Sequence, residues 1–398
     1  MKILIVSNKA TYPPDGGSIA TLNFAKAYAK LGNKVSILNM VTHKHINQDN
    51  TIESEYNNKI IISGIKVNTR ISFLRIFLNL LFSSKPYIAI RFCNKDFSTK
   101  LIHLIKNQQF DIIQFEGLYT LQYINKVKKH FNGKILYRPH NVEHIIWERN
   151  TKAASNYLKK YYYKKLSERL KKFESKLLNS YHYIIPISGT DSVYYQVWGN
   201  KKPMSTVPFG IDIKDLNKYK NPVTNHQNII YIGALDWIPN QEGIIWFIEK
   251  CFPSILNRLP QLKFVIAGRN APEWLIKKFN HPNIQYAGEV KNAYELLSQN
   301  GPLVVPLFSG SGIRVKIIES MALGKAIVTT SIGAEGIQYT NGKNILIADT
   351  PSDFAHSVIT LINNKNITEE IGKNAFELAS NNYDLLTLTK QTIDFITK

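Results

Sequence analysis

Short apolar runs alternate with longer stretches of helical periodicity along the whole chain. The runs fall at 3–6, 35–38, 111–115, 134–137 and 183–187, and again at 229–232, 263–267, 284–286, 303–305, 326–329 and 345–347. They are too continuous for strands with one face in water, and so read as strands buried on both faces of a parallel sheet. Segments near 19–31, 97–107, 119–131, 156–178, 242–258, 351–363, 366–380 and 384–397 space their apolar residues as helices do. Such alternation predicts an α/β protein with two successive doubly wound sheets. It pauses once, in a polar segment containing Pro and Asn, and then restarts. Four parts are therefore expected: a first domain at 1–210, a linker at 211–228, a second domain at 229–380 and a closing helix at 381–398.

Two stretches depart from this pattern. Residues 47–70 form a polar excursion with strand pieces at 60–62 and 65–67. Residues 71–87 are apolar nearly all round, with Ile71, Phe73, Leu74, Ile76, Phe77, Leu80, Leu81 and Phe82, flanked by Arg70, Arg75, Lys85 and Arg91. They are too short to span a bilayer. They read either as a buried helix or as one inserted part-way into a membrane surface.

Charge sharpens the division. The formal net charge is +21, but residues 1–205 hold 32 Lys and Arg against 12 Asp and Glu, and the remainder 18 against 17. The segment 156–178 alone carries Lys159, Lys160, Lys164, Lys165, Arg169, Lys171, Lys172 and Lys176. A solvated face is one reading; in so basic a half, an anionic partner such as a bilayer or nucleic acid is the other. Two cysteines make no disulfide framework, which fits a reduced, cytoplasmic setting. The opening MKILIVSNKA reads as a first strand and not as a signal peptide.

The most informative stretch runs from 306 to 337, PLFSGSGIRVKIIESMALGKAIVTTSIGAEGI. A strand leads into the small-residue loop Ser309, Gly310, Ser311 and Gly312, then Ile313 and a helix that stops at Gly324. Strand, glycine loop and helix together aim backbone N–H groups and a helix N-terminus at a phosphate. Arg314 and Lys316 stand where that helix begins, and Glu319 one turn further in, placed to accept hydrogen bonds from a diol. By spacing alone, a solvated helix face remains as good a reading. Elsewhere, polar residues gather at the carboxyl ends of strands, where open α/β sheets bind ligands: Glu116, then His140, Asn141 and Glu143. Gly16 and Gly17 open the first helix, and Gly233 follows the strand at 229–232.

These motifs resemble the retaining glycosyltransferase family 4, of GT-B fold. The resemblance rests on the PPDGG loop, ISGTDS, VPFGID, IGALDWIPNQEG and above all GSGIRVKIIESMALGKAIVTTSIGAEGI, and covers nearly the whole chain. It implies two Rossmann-like domains facing across a cleft, with the C-terminal helix returning to the first. It implies transfer of a sugar from a nucleoside-diphosphate sugar to an acceptor with retention of configuration and without a metal or other cofactor. Glu319 then matches the residue that binds the ribose hydroxyls, His140 one near the donor sugar, Gly16 and Gly17 the loop approaching the diphosphate, and Val290 a position where backbone meets the base. Arg314 and Lys316 are assigned to the diphosphate, because the Arg and Lys that many members carry after the first strand of the second domain are missing from GALDWIPNQ. Ser311 stands where many members have a glutamate. The expected partners are a nucleotide sugar, a lipid-linked or cell-surface glycan acceptor and the inner face of an anionic membrane, with no nucleic acid. The alternatives are a nucleotide-sugar epimerase of similar fold and an RNA-binding protein.

Overall fold

The computed structural model describes residues 1–12, 16–46, 56, 58–220, 225, 227–310 and 313–398. They form two units, Met1–Gly210 with Leu385–Lys398, and Ile211–Asp384. The whole net charge lies in the first unit, which holds 34 basic and 13 acidic residues, while the second has 16 of each.

The first unit is built on a six-stranded sheet in the order β3-β2-β1-β4-β5-β6. Its strands are β1 (Lys2–Ser7), β2 (Lys34–Val41), β3 (Ile60–Lys66), β4 (Ile112–Glu116), β5 (Lys134–Arg138) and β6 (Tyr183–Ile184), all paired in parallel. Successive side chains feed opposite faces, so a continuous apolar run fills two cores at once. Leu4, Val6, Ile113 and Phe115 pack with the helices Lys95–Asn107 and Tyr157–Leu177. Ile3, Ile5 and Ile112 pack with Phe24 and Tyr28 of the helix Gly16–Lys30, and with Leu385, Leu388 and Ile396 of the last helix, Leu385–Thr397. The C-terminal helix thus completes the core of the first unit. A Cβ on Gly210 would lie 2.9 Å from Leu385 Cα, so the chain ends its first pass with a residue that lets this helix close in.

The second unit repeats the topology. Its strands are β7 (Asn228–Ile232), β8 (Lys263–Ala267), β9 (Ile284–Gly288), β10 (Leu303–Val305), β11 (Ile327–Thr329) and β12 (Leu346–Ile347). Their order, β9-β8-β7-β10-β11-β12, is that of the first sheet, again with parallel pairing. In each sheet the order reverses beside the first strand, between β1 and β4 and between β7 and β10. Those reversals are where doubly wound sheets receive ligands. Residues 211–217, read as linker, join this unit, with a short helix at Ile213–Asn217.

Three differences from the sequence reading have plain causes. The helix expected at 119–131 is two short pieces, Leu118–Leu121 and Ile124–Val127, parted where Tyr123 turns inward and its hydroxyl donates to Phe92 O at 2.7 Å. The helix expected at 242–258 contains a π-turn, Phe247–Cys251. Pro253 has no N–H for the carbonyl four residues back, and the wider turn, with Phe252 N–H on Phe247 O, absorbs the defect. The apolar stretch at 71–87 is not a core helix. Its helix Phe73–Phe82 buries no residue, so the buried reading fails.

Candidate functional site

At the reversal of the second sheet, β7 passes into Gly233 and β10 into the loop that carries Ser309 and Gly310. The helix Val315–Ala322 begins beside them, with Arg314 at its N-cap. Lys316 turns back to the end of β7. Its Nζ donates to Tyr231 Oη at 3.0 Å, to Ile232 O at 3.1 Å and to Asn240 Oδ1 at 3.2 Å, and sits 4.4 Å from the Tyr231 ring centroid. A Cβ on Gly233 would stand 2.9 Å from that nitrogen, which is why glycine suits this position. Burial, helped by the nearby Arg314 charge, brings the Lys316 ammonium down to about 7.

Arg314 is itself buried. Its Nη2 donates to Ser309 O at 3.4 Å, and the guanidinium lies 5.7 Å from the Trp237 ring centroid. Gly310 folds over this pair with φ +105°, and a Cβ there would come within 2.9 Å of both Arg314 Nη2 and Trp237. Glu319, on the next turn, accepts from Tyr294 Oη at 2.7 Å. Burial pushes its carboxyl up to about 7 against the pull of that hydrogen bond. The start of one helix thus presents a guanidinium, an ammonium and a carboxylate, both of the latter poised near neutrality. Ser309 Oγ donates to Glu242 Oε2 at 3.2 Å. Ile313 and Val290 are half-buried, Val290 two residues beyond β9 at the sheet edge. Ser311 and Gly312 lie outside the described residues.

The first unit's reversal carries a different constellation. Glu116 ends β4, fully buried, directly across the sheet from Arg138 at the end of β5. Its Oε2 takes Arg138 Nη1 at 3.2 Å and His140 Nε2 at 2.5 Å, while Gln114 Nε2 donates to Oε1. Tyr28 Oη donates to Gln114 Oε1 at 2.8 Å, and the Arg138 guanidinium stacks 4.0 Å from the Phe24 ring centroid. Burial would raise the Glu116 carboxyl, but Arg138, His140 and Gln114 together hold it down at about 2. Glu116 therefore holds the Nε2 edge of the His140 imidazole.

Asn141 follows at the turn, half-buried. Glu143, at the start of the helix Glu143–Ala153, accepts from Tyr119 Oη at 2.7 Å. It is raised to about 7, by burial first and by the Glu174 charge as well, against that hydrogen bond and Lys9. Glu174 supplies the cap this helix lacks in its own sequence, accepting from the N–H groups of Glu143 and His144 at 3.2 Å each. Gly16 and Gly17 open the first helix, Gly17 O accepting from Thr21 Oγ1 at 3.0 Å; residues 13–15 of the same loop lie outside the described residues.

The structure thus gathers Arg314, Lys316, Glu319, Gly233, Ser309 and Gly310 at one reversal, and Glu116 and His140 at the other. Tyr231, Trp237, Asn240 and Tyr294 were not picked out from sequence as partners, nor were Arg138, Gln114 and Tyr28. Arg138 alone left a signal, since laying β4 beside β5 in parallel register puts it opposite Glu116. Among the described residues, no group of three or more His, Cys, Asp or Glu is placed to hold a metal ion.

Residues 226–364 match the family described as glycosyl transferases group 1. Over 397 residues the chain is 24% identical to an uncharacterized 44.6 kDa protein in the cps region of Klebsiella pneumoniae, covering 96% of each. Anabaena HepE, solved in complex with UDP and glucose, superposes with a TM-score of 0.69 at 14% identity, covering 100% of this chain and 99% of that one. Sucrose-phosphate synthase from Thermosynechococcus elongatus gives 0.68 at 15% identity, over 99% and 98%. The fold is GT-B, two Rossmann-like α/β domains, and the family match falls wholly in the second unit.

Proposed function

We propose that this chain is a glycosyltransferase that moves a hexose from a nucleoside-diphosphate sugar to a lipid-linked or cell-surface glycan, with retention of configuration and without a metal ion. The observation that carries the reading is the trio Arg314, Lys316 and Glu319 at the reversal of the second sheet, within the segment that matches the glycosyltransferase family. When a glycosyl–phosphate bond breaks, negative charge grows on the departing diphosphate. Arg314 and Lys316, held by Ser309, Tyr231, Ile232 and Asn240, are the groups we assign to that charge. Glu319 is assigned to the ribose hydroxyls, Gly233, Ser309 and Gly310 to the phosphates and Val290 to the base. In the first unit, His140 is assigned to the donor sugar, with Glu116 setting its orientation, and Gly16 and Gly17 are assigned to the diphosphate. Asn141 and Glu143 are assigned to the acceptor, Glu143 as the group whose carboxyl is tuned to take a hydroxyl proton near neutral pH. The cps-region relative supports a surface polysaccharide as product, and the net charge of the first unit supports work at the inner face of a membrane.

The test is a screen of radiolabelled UDP-, GDP- and dTDP-sugars with a lipid-linked glycan, with and without EDTA. Transfer that survives EDTA is expected; no transfer from any of them would sink the reading. Isomerised sugar formed without acceptor would point to an epimerase instead.

A further inference from the structure

Helix Phe73–Phe82 wears its apolar side outward. Phe73, Leu74, Phe77, Leu78, Leu81 and Phe82 recur at the spacing of one helical face, and they are 86, 68, 58, 45, 58 and 80% exposed. The other face, Ile76, Asn79 and Leu80, is only half-buried. A core helix would be turned the other way round.

The helix is nonetheless held in place. Ser72 caps it, accepting from Arg75 N–H at 3.4 Å, and Ser72 N–H donates to Tyr87 Oη at 3.2 Å. At its far end, Arg169 of the helix Tyr157–Leu177 donates to Asn79 O at 3.1 Å and to Leu80 O at 2.8 Å. The outward face is therefore presented on a braced element, not on a fraying one.

The helix that braces it supplies the charge. Lys159, Lys160, Lys164, Lys171, Lys172 and Lys176 are exposed along Tyr157–Leu177, and its first turns also expose Tyr157, Leu158 and Tyr161. Apolar rings and branched chains on one helix, lysines and tyrosines on the helix that grips it, are the composition that sits at the boundary between acyl chains and anionic headgroups. No helix among the described residues is long and apolar enough to cross a membrane, so the contact would stay in one leaflet.

We infer that this face is a docking surface for an anionic lipid bilayer, Phe73–Phe82 entering the acyl boundary while the lysines of Tyr157–Leu177 bind headgroups. The inference deepens the proposed function by naming where the first unit meets the membrane that bears its acceptor. It rests on that reading only for the reason such docking is useful.

The experiment is flotation of the full chain with phosphatidylglycerol-containing vesicles and with pure phosphatidylcholine vesicles, at low and high salt. It uses the wild type, the double variant Phe77→Asp/Leu81→Asp and the charge variant Lys159→Glu/Lys160→Glu. The wild type is expected to float with the anionic vesicles only, and high salt or the charge variant to weaken it by about tenfold or more. The aspartate variant should stay at the bottom while UDP, used as the probe, still raises its Tm as it does for wild type. Since the two changed side chains point to solvent, an unaltered Tm without ligand checks its folding. A wild type that ignores anionic vesicles, or an aspartate variant that floats like it, overturns the inference. So does a concentration-dependent dimer split by the aspartates with flotation unchanged, which would give this face to a second copy of the chain. Flotation without any UDP-, GDP- or dTDP-dependent shift in Tm would instead leave the docking surface standing and count against the sugar-transfer reading.

Discussion

The two sheets share one strand order, yet the charges at their reversals are handled in opposite ways. In the first unit, Glu116 is met by Arg138, His140 and Gln114, and its carboxyl falls to about 2. In the second, Lys316 is held by three neutral oxygens, and both it and Glu319 are driven by burial towards 7. A buried charge answered from within the fold serves position, because its field is spent on its own neighbours. A buried charge answered only by neutral groups is costly in the empty protein and becomes favourable when a counter-charge binds. The first reversal is thus suited to orienting an imidazole, and the second to gripping an anion.

The sharpest way to break this comparison is to remove Glu116. Glu116→Ala strands the Arg138 guanidinium in the core and is expected to cost about 3–5 kcal/mol, read by urea unfolding. Adding Arg138→Met should return most of that loss, because the uncompensated charge goes with it. If the single variant were as stable as wild type, the first network would not be an internally neutralised one. The carboxyl's lowered value also sets a pH window. Its stabilising contribution is present above the ordinary value of 4.5 and is lost as pH falls through about 2.

In the second unit the same operation should spare the fold and damage the chemistry. Arg314→Ala is expected to lower sugar transfer by at least about tenfold, the effect of one charged donor lost from the departing group. Steady-state kinetics checks it, and unchanged turnover would take Arg314 out of the site.

Acidity sharpens the contrast further. Glu319 is raised in the folded protein, so its contribution to stability is present below 4.5 and is lost as pH rises through about 7. Lys316 is lowered, so in the folded chain it sheds its proton near 7 and stability recovers as pH climbs towards 10.5. Together they make the folded chain least stable near neutrality, where both charges coexist. A nucleoside diphosphate needs both charges, so its affinity should peak near pH 7 and fall by up to about tenfold per pH unit on either side. Glu319→Gln is expected to flatten only the acid limb, and Lys316→Met only the alkaline one. Calorimetric titration with UDP across the pH range reads this, and a flat wild-type profile would contradict the assignment.

How far all this was legible follows from what each signal is made of. The strands were plain because β1, β4, β8 and β10 are buried on both faces, which favours near-continuous apolar runs such as Ile3–Val6, Phe264–Ala267 and Leu303–Val305, although buried Gln114 interrupts the one in β4. Arg314, Lys316 and Glu319 were visible because they lie at the N-cap and in the first two turns of one helix, where spacing in sequence is spacing in space. Their partners were not. Lys316 reaches Tyr231 and Asn240, 85 and 76 residues earlier, and no local pattern records a contact that the sheet reversal creates. The outward face of Phe73–Phe82 was hidden for a different reason. An apolar stripe has the same periodicity whether it faces a core or a bilayer, and only its surroundings tell the two apart.

The smallest expected effect tests whether the grip on the anion is preformed. Gly310 holds φ at +105° and leaves no room for a methyl, since a Cβ would meet both Arg314 Nη2 and Trp237 at 2.9 Å. Gly310→Ala therefore has two consequences, about 1 kcal/mol of backbone strain and a displaced guanidinium. The strain should appear as a modest fall in Tm with or without ligand. The displacement should appear only with ligand, as a UDP affinity a few-fold weaker than the strain alone explains. Thermal unfolding at several UDP concentrations separates them, because mass action makes the ligand-dependent part scale with concentration. If Gly310→Ala lowered Tm equally at every UDP concentration, the loop would be a structural turn, and the cations beneath it would owe nothing to its shape.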